Sequence, residues 1–196
     1  MNARAITISA ALRVLLLAFA ACVFVRSVWS SWQTVQDFGG YDLRNRVVAA
    51  RVLNTGMDPY TFVYRKGMPL EWADAVARPG IPRVTVPPTA LCMYLPFAGL
   101  PYKAQRDLWW GLEWAAFASG CALLALTLRK TRGRTEFLVL AACLFAGGYF
   151  WPLHVIRGQY YVFEMFLLAL TAWLYARRRA NALWAGVPLG LAIALR

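Results

Sequence analysis

Apolar residues run through this chain in long blocks broken by short polar turns. Residues 137–156 contain no Asp, Glu, Lys or Arg, and residues 158–176 contain only Glu164. Runs of that length cross a hydrocarbon core of roughly 30 Å as helices. The pattern predicts five membrane spans, at about 6–28, 105–128, 136–156, 160–176 and 182–196. Arg13 interrupts the first span; near the cytoplasmic end its long side chain can snorkel to the interface. The second span holds Glu113 and begins beside Asp107. The first apolar run is long and is followed by the bulky "VRSVWSSW", not by a small-residue cleavage site, so it reads as an uncleaved span.

A different pattern fills residues 30–103. In "LRNRVVAARVLNTG", Val47, Val48, Arg51 and Val52 fall at helical spacings, and Gly56 supplies a stop. This predicts an amphipathic helix over about 43–55, lying near the membrane surface. "DPY", 58–60, starts a turn. Residues 67–88 are rich in Pro and Gly and read as irregular, ending at "TVPPTA", where two prolines lock an extended backbone. A short apolar helix over about 89–98 follows. The expected fold class is all-α: a polytopic transmembrane helix bundle whose long first external loop carries surface helices.

Composition supports that class. The chain has 196 residues, is 60% hydrophobic and 15% charged, and has a mean hydropathy of +0.48. Its net charge of +12 does not point to nucleic acid, because the positive residues are spread through loops that flank apolar spans. Some can meet lipid phosphates. "RKTRGR", 129–134, and "RRR", 177–179, are the most basic short loops and are expected in the cytoplasm. Parity then puts the N-terminus inside, and residues 30–103 and the turn "RGQ", 157–159, outside. The external loop carries eight basic and five acidic residues, a net of +3. Cys22, Cys92, Cys121 and Cys143 show no metal-ligand spacing, and three of them lie in apolar spans, so they read as small buried residues. No metal site is expected.

Candidate chemistry gathers in two stretches. In "DFGGYDLRNRVVAARVLNTGMDPY", 37–60, Asp42 sits at the start of the expected helix. It is either a first-turn or capping carboxylate, stabilising by about 0.5–2 kcal/mol, or a general base that takes a proton from an attacking hydroxyl. Asp42 and Arg46 are spaced to pair on one helix face, and Arg44 and Arg51 to share another. Guanidinium groups suit phosphate, although headgroup attraction is the plainer alternative. Asp37 and Asp58 are rival carboxylates of lower rank. In "WPLHVIRGQYYVFE", 151–164, the residues His154, Arg157, Gln159, Tyr160 and Glu164 surround one tight turn. Polar side chains at such depth usually face a cavity or a partner. Arg157 is a second phosphate candidate. His154 more simply satisfies a hydrogen bond. Lys103, Arg106 and Asp107 mark the external end of the second span.

The ordered set "YDLRNRVVAARVLNTGMDPY", "TVPPTALCMYLPFAGLP", "RGQYYVF" and "GLAIALR" resembles the polytopic membrane glycosyltransferases of family 87, of the GT-C type, over roughly residues 37–196. The resemblance implies a helix bundle with a long first external loop that carries an essential aspartate. It implies a polyprenyl-phosphate sugar as donor, mannose-like, and a hydroxyl acceptor on a glycan or glycolipid. Transfer would invert the anomeric centre, with no cofactor and no nucleotide-binding signature. The aspartate of "YDLR" matches best, which gives Asp42 the base role. Arg157 and Gln159 match a turn typical of the family beside the site. Arg44, Arg46 and Tyr160 join them as substrate- or phosphate-binding candidates. Arg196 stands where relatives often carry lysine. The implied location is a bacterial inner membrane, with the site on the external, periplasmic face. Relatives carry further spans, and the fifth span here covers only about 22 Å at 1.5 Å per residue, so the chain is expected to be the front part of a longer protein. Two other readings stay open: a transporter or flippase for a lipid-linked sugar, which would show paired repeats, and a non-catalytic assembly subunit.

Overall fold

A computed structural model of the chain describes residues 10–37, 40–69, 72, 84–128, 130–177 and 182–196. It is a membrane-type helical bundle, with no strand among the described residues. The elements are α1 (Ala10–Asp37), α2 (Tyr41–Asn54), α3 (Pro88–Leu91), a 3-10 helix (Cys92–Phe97), α4 (Tyr102–Thr127), α5 (Thr131–Leu140), a π-helical segment (Ala141–Ala146), α6 (Phe150–Arg157), α7 (Tyr161–Arg177) and α8 (Ala182–Ala194). Residues 70, 71 and 73–83, most of the stretch read as irregular, lie outside the described residues.

α1 and α4 are each long and apolar enough to cross a membrane. α1 continues to Asp37, past the expected span end near residue 28. Hydropathy detects the lipid slab, whereas Ser30, Ser31 and Thr34 leave a helix intact while lowering hydropathy. Their hydroxyls do not interrupt it, because Ser31 and Thr34 bond back to the carbonyls of Val28 and Ser30 at 2.9 Å each. The run expected as one span over 136–156 is two helices bent by 60°. At the bend, the Gly147 N–H reaches back five residues to Ala142 O at 2.9 Å. Pro152 lacks the N–H that would continue the ladder from Gly148. A Cβ on Gly147 would stand 2.6 Å from Val23 Cγ1, so glycine there lets α1 approach the break. α7 has 17 residues and α8 has 13.

Two apolar cores hold these helices. One joins Leu43 and Val47 of α2 to Leu91, Tyr94, Trp109 and Leu195. The other joins Val35, Trp114, Phe117, Trp151, Val155 and Val162. In the second, Trp114 and Trp151 meet edge-on at 4.9 Å. The buried Ser31 hydroxyl accepts the indole N–H groups of Trp110 and Trp114, both at 3.0 Å. That satisfies donors which are costly to leave bare at such depth. α4 and α7 cross closely at Gly120, where an added Cβ would meet Met165 Cε at 2.8 Å.

α2 begins at Tyr41, two residues before its expected start, and is buried on more sides than one apolar stripe requires. Leu43, Arg44, Arg46, Val47, Val48, Ala49, Ala50 and Val52 are all buried. The Pro88–Phe97 helices cover one side of it. Tyr60 ties the following loop to them by donating to Val86 O at 2.8 Å.

Candidate active site

Two helix ends meet through two glycines. Gly40 precedes α2 and Gly158 ends α6, and both adopt left-handed backbone, with φ of 71° and 68°. The Gly40 N–H donates to Ile156 O at 2.6 Å, while Gly40 O accepts the Arg44 N–H at 2.7 Å to begin α2. At the other end, the Gly158 and Gln159 N–H groups both return to His154 O, at 3.1 and 3.2 Å, closing α6. A Cβ on Gly158 would lie 2.7 Å from Leu43 Cβ and 3.4 Å from Gly40 Cα. Only glycine permits this approach at residue 158, so "GYDLR", 40–44, and "RGQYY", 157–161, form one junction at one end of the bundle.

At that junction, Gln159 links Asp42 to Arg46. Its Nε2 donates to Asp42 Oδ2, and its Oε1 accepts from Arg46 Nη2 at 3.1 Å. The amide's two ends match their neighbours: the N–H group meets the carboxylate and the oxygen meets the guanidinium. The expected direct Asp42–Arg46 pair is absent among the described ion pairs, since the amide stands between them. Asp42 lies in the first turn of α2, where the helix dipole favours a negative charge. It is half-buried. Its Oδ1 has no protein partner among the described residues, which leaves one oxygen able to accept a proton.

Arg46 is 7% exposed, and neutral groups surround it. Nη1 donates to Tyr94 OH at 3.1 Å and to Gly158 O at 3.4 Å, and the guanidinium lies 4.9 Å from the Tyr160 ring centroid. Arg46 therefore holds Gln159 and the turn in place from below. Burial pushes the Tyr94 phenol well above its usual pKa, so it stays neutral beside Arg46. Arg44 donates to Tyr102 OH at 3.1 Å and sits 4.9 Å from the Tyr41 ring and 5.3 Å from the Tyr102 ring. Arg106, also buried, places its guanidinium 5.4 Å from the Tyr102 ring centroid, and its Nε has no hydrogen-bond partner among the described residues. Two guanidiniums thus share one phenol ring beside α2. Arg157 is exposed at the end of α6, one residue from Gly158, with no partner among the described residues.

The remaining candidates go elsewhere. Arg51 does not share a phosphate-facing surface with Arg44. It donates to Ala98 O at 2.7 Å and Leu100 O at 3.1 Å, satisfying carbonyls left open at the end of the 3-10 helix. Asp58 accepts the Tyr60 N–H and the Thr61 hydroxyl, both at 2.9 Å, which is a turn role. Asp37 closes α1, and its side chain lies outside the described atoms. His154 packs on groups other than Asp42. It stacks on Trp151 at 5.3 Å, and its Nε2 lies 3.5 Å from Oε1 of the buried Glu113 on α4. Glu164, in the first turn of α7, keeps a buried oxygen without a hydrogen-bond partner among the described residues. Among the described residues no three metal-ligating side chains gather.

Sequence reasoning left out Tyr94, Tyr102 and Arg106 as site residues. Arg106 carried a usable signal, a cation at the end of an apolar span. The tyrosines carried none, because their roles come from packing.

Comparison with protein families matches residues 85–196, more than half of the chain, to Glycosyltransferase family 87. The matched stretch includes Arg157, Gln159 and Tyr160 and starts after α2. No curated protein and no solved structure matches the chain.

Proposed function

The chain belongs to glycosyltransferase family 87, and we propose that it transfers a hexosyl residue, mannose-like, from a polyprenyl phosphate to a hydroxyl acceptor, with Asp42 as the general base. The observation that carries this reading is the Gln159–Asp42 hydrogen bond. It ties the carboxylate of α2, which precedes the family match, to a turn that lies within it.

In this mechanism the acceptor O–H gives its proton to Asp42 Oδ1 as its oxygen attacks the anomeric carbon. The bond between that carbon and the phosphate oxygen breaks on the opposite face, which inverts the centre and releases polyprenyl phosphate. Gln159 fixes the direction of the carboxylate, so the base needs little reorganisation. The developing phosphate charge calls for fixed cations nearby. Arg157, exposed at the junction, is the residue we assign to contact it, and Arg44, buried between Tyr41 and Tyr102 at the first turn of α2, adds its charge from behind. Arg46 is assigned to positioning, since its Nη1 and Nη2 donate to protein groups. The acceptor would be a glycan or glycolipid hydroxyl reaching the junction. We place the chemistry on the external, periplasmic face of a bacterial inner membrane with the N-terminus in the cytoplasm, a placement supported by the basic loops at 129–134 and 177–179.

Asp42→Asn tests the base directly. Asparagine keeps the size of the side chain and an oxygen for Gln159 but cannot accept the proton. Transfer from a polyprenyl-phosphate sugar should fall by about 10²–10⁴ with normal folding. Transfer near the wild-type rate would sink the assignment.

A further inference from the structure

At the end of the bundle away from Asp42, α1 and α5 enclose a cavity of about 350 Å³. Arg13 lies 24 residues before the end of α1, which is about 36 Å along the helix. Leu16, Val139 and Leu140 form an apolar wall, and Arg13 and Arg132 form a cationic rim. Glu136, also on the rim, is engaged by Arg132 Nε at 2.7 Å. One carboxylate therefore faces two guanidiniums, and the rim keeps a positive charge.

Arg13 supplies the second observation. Its Nε is closed off from solvent and has no hydrogen-bond partner among the described residues. A guanidinium in an apolar helix normally pairs with an anion or reaches one at the interface. Beside it, Val14 and Leu15 point outward, 66% and 65% exposed, onto the face that lipid would cover. The combination of a guanidinium whose buried Nε lacks an acceptor among the described residues, apolar walls and a lipid-facing helix fits a phosphodiester with an acyl chain attached.

We propose that this cavity binds the headgroup of an anionic glycerophospholipid, with Arg13 contacting the phosphate and the Leu16–Val139–Leu140 wall taking the first part of an acyl chain. A bulk phospholipid fits better than a polyprenyl-phosphate donor, because a donor held here would keep its sugar a bundle's length from Asp42.

Native mass spectrometry of the full chain in mild detergent tests the site, with phosphatidylglycerol and phosphatidylcholine of matched acyl chains offered in equal amounts. The wild type should retain phosphatidylglycerol about fivefold over phosphatidylcholine, the factor that one arginine beside an anionic headgroup contributes. Arg13→Gln should remove that preference and Arg13→Lys should keep part of it. Val139→Trp, which fills the cavity and leaves Arg13 in place, should also displace the lipid, and it decides the matter if Arg13→Gln does not fold. Equal retention of the two lipids by the wild type would overturn the site. So would an undiminished preference in both Arg13→Gln and Val139→Trp. Adding polyprenyl phosphate as a competitor tests the source: its retention ahead of phosphatidylglycerol would overturn the phospholipid assignment.

Discussion

Gly158→Ala asks how tightly α2 and α6 are joined. Two effects add. At φ of 68° an alanine adopts left-handed backbone at a cost of about 1–2 kcal/mol. Its Cβ would also stand 2.7 Å from Leu43 Cβ. That atom is no flexible tip. It lies next to the α2 backbone, and Leu43 is 1% exposed, so the helix or the turn must move. Forcing a methyl group into such packing costs about 1–3 kcal/mol. Alanine also lowers the entropy of the unfolded chain, which returns about 0.4–1 kcal/mol. The net destabilisation is then about 1–5 kcal/mol by these same terms. Gly56→Ala is the internal control. Its φ is 80° and nothing lies within 4 Å of the added Cβ, so it reports the backbone effect without the contact. Thermal unfolding in detergent should place Gly158→Ala below Gly56→Ala by the contact contribution. Transfer should fall in Gly158→Ala and stay near wild type in Gly56→Ala, because only the first displaces Leu43 and, with it, Asp42. Equal stability of the two variants, or full transfer by Gly158→Ala, would show that the junction is not packed as described.

Three further substitutions probe the rest of the bundle. Gln159→Leu should lower kcat about tenfold through lost orientation, and Gln159→Glu, which also sets a second negative charge against Asp42, should lower it further. Gly120→Ala should cost less than about 1 kcal/mol because the Met165 terminal methyl can swing away, whereas Gly120→Leu must push on Phe166 Cα, 3.5 Å from the added Cβ, and should cost about 1–3 kcal/mol in thermal unfolding. Ser31→Ala strips the acceptor from two indole N–H groups and should lower stability by about 1–3 kcal/mol, with a change in tryptophan emission that Ser31→Thr does not show.

The membrane class was legible because charge-free runs are a local property, and so was the helical character of residues 41–54, whose period is written in Val47, Val48 and Val52. The bend between α5 and α6 was not read, although "GG" at 147–148 and Pro152 were its marks. Hydropathy averages over such breaks, and the run from 137 to 156 scored as one block. Spacing along one helix also misled the pairing of charges. Asp42 and Arg46 are a turn apart, which suggested a direct pair, but an amide 113 residues beyond Arg46 fits between them. Arg44 and Arg51 fall on related positions of α2, yet tyrosine rings hold one and the 3-10 helix's bare carbonyls hold the other.

The same contrast explains why Asp42 reads as a helix-start residue in sequence and as a site residue in space. A first-turn carboxylate needs only the helix dipole, and many such residues do nothing more. What separates Asp42 is a partner brought from another helix by two left-handed glycines and held there by a buried arginine. Arg46 has no carboxylate in direct contact among the described residues. A cation buried among neutral groups is costly and adds little to stability when its hydrogen bonds could be made by smaller residues. Its three acceptors are Tyr94 OH, Gly158 O and Gln159 Oε1, so it fixes the backbone of the turn and the side chain that aims Asp42. Orientation of the carboxylate is therefore what this buried charge secures, and the Gln159 variants, which separate aim from charge, measure it.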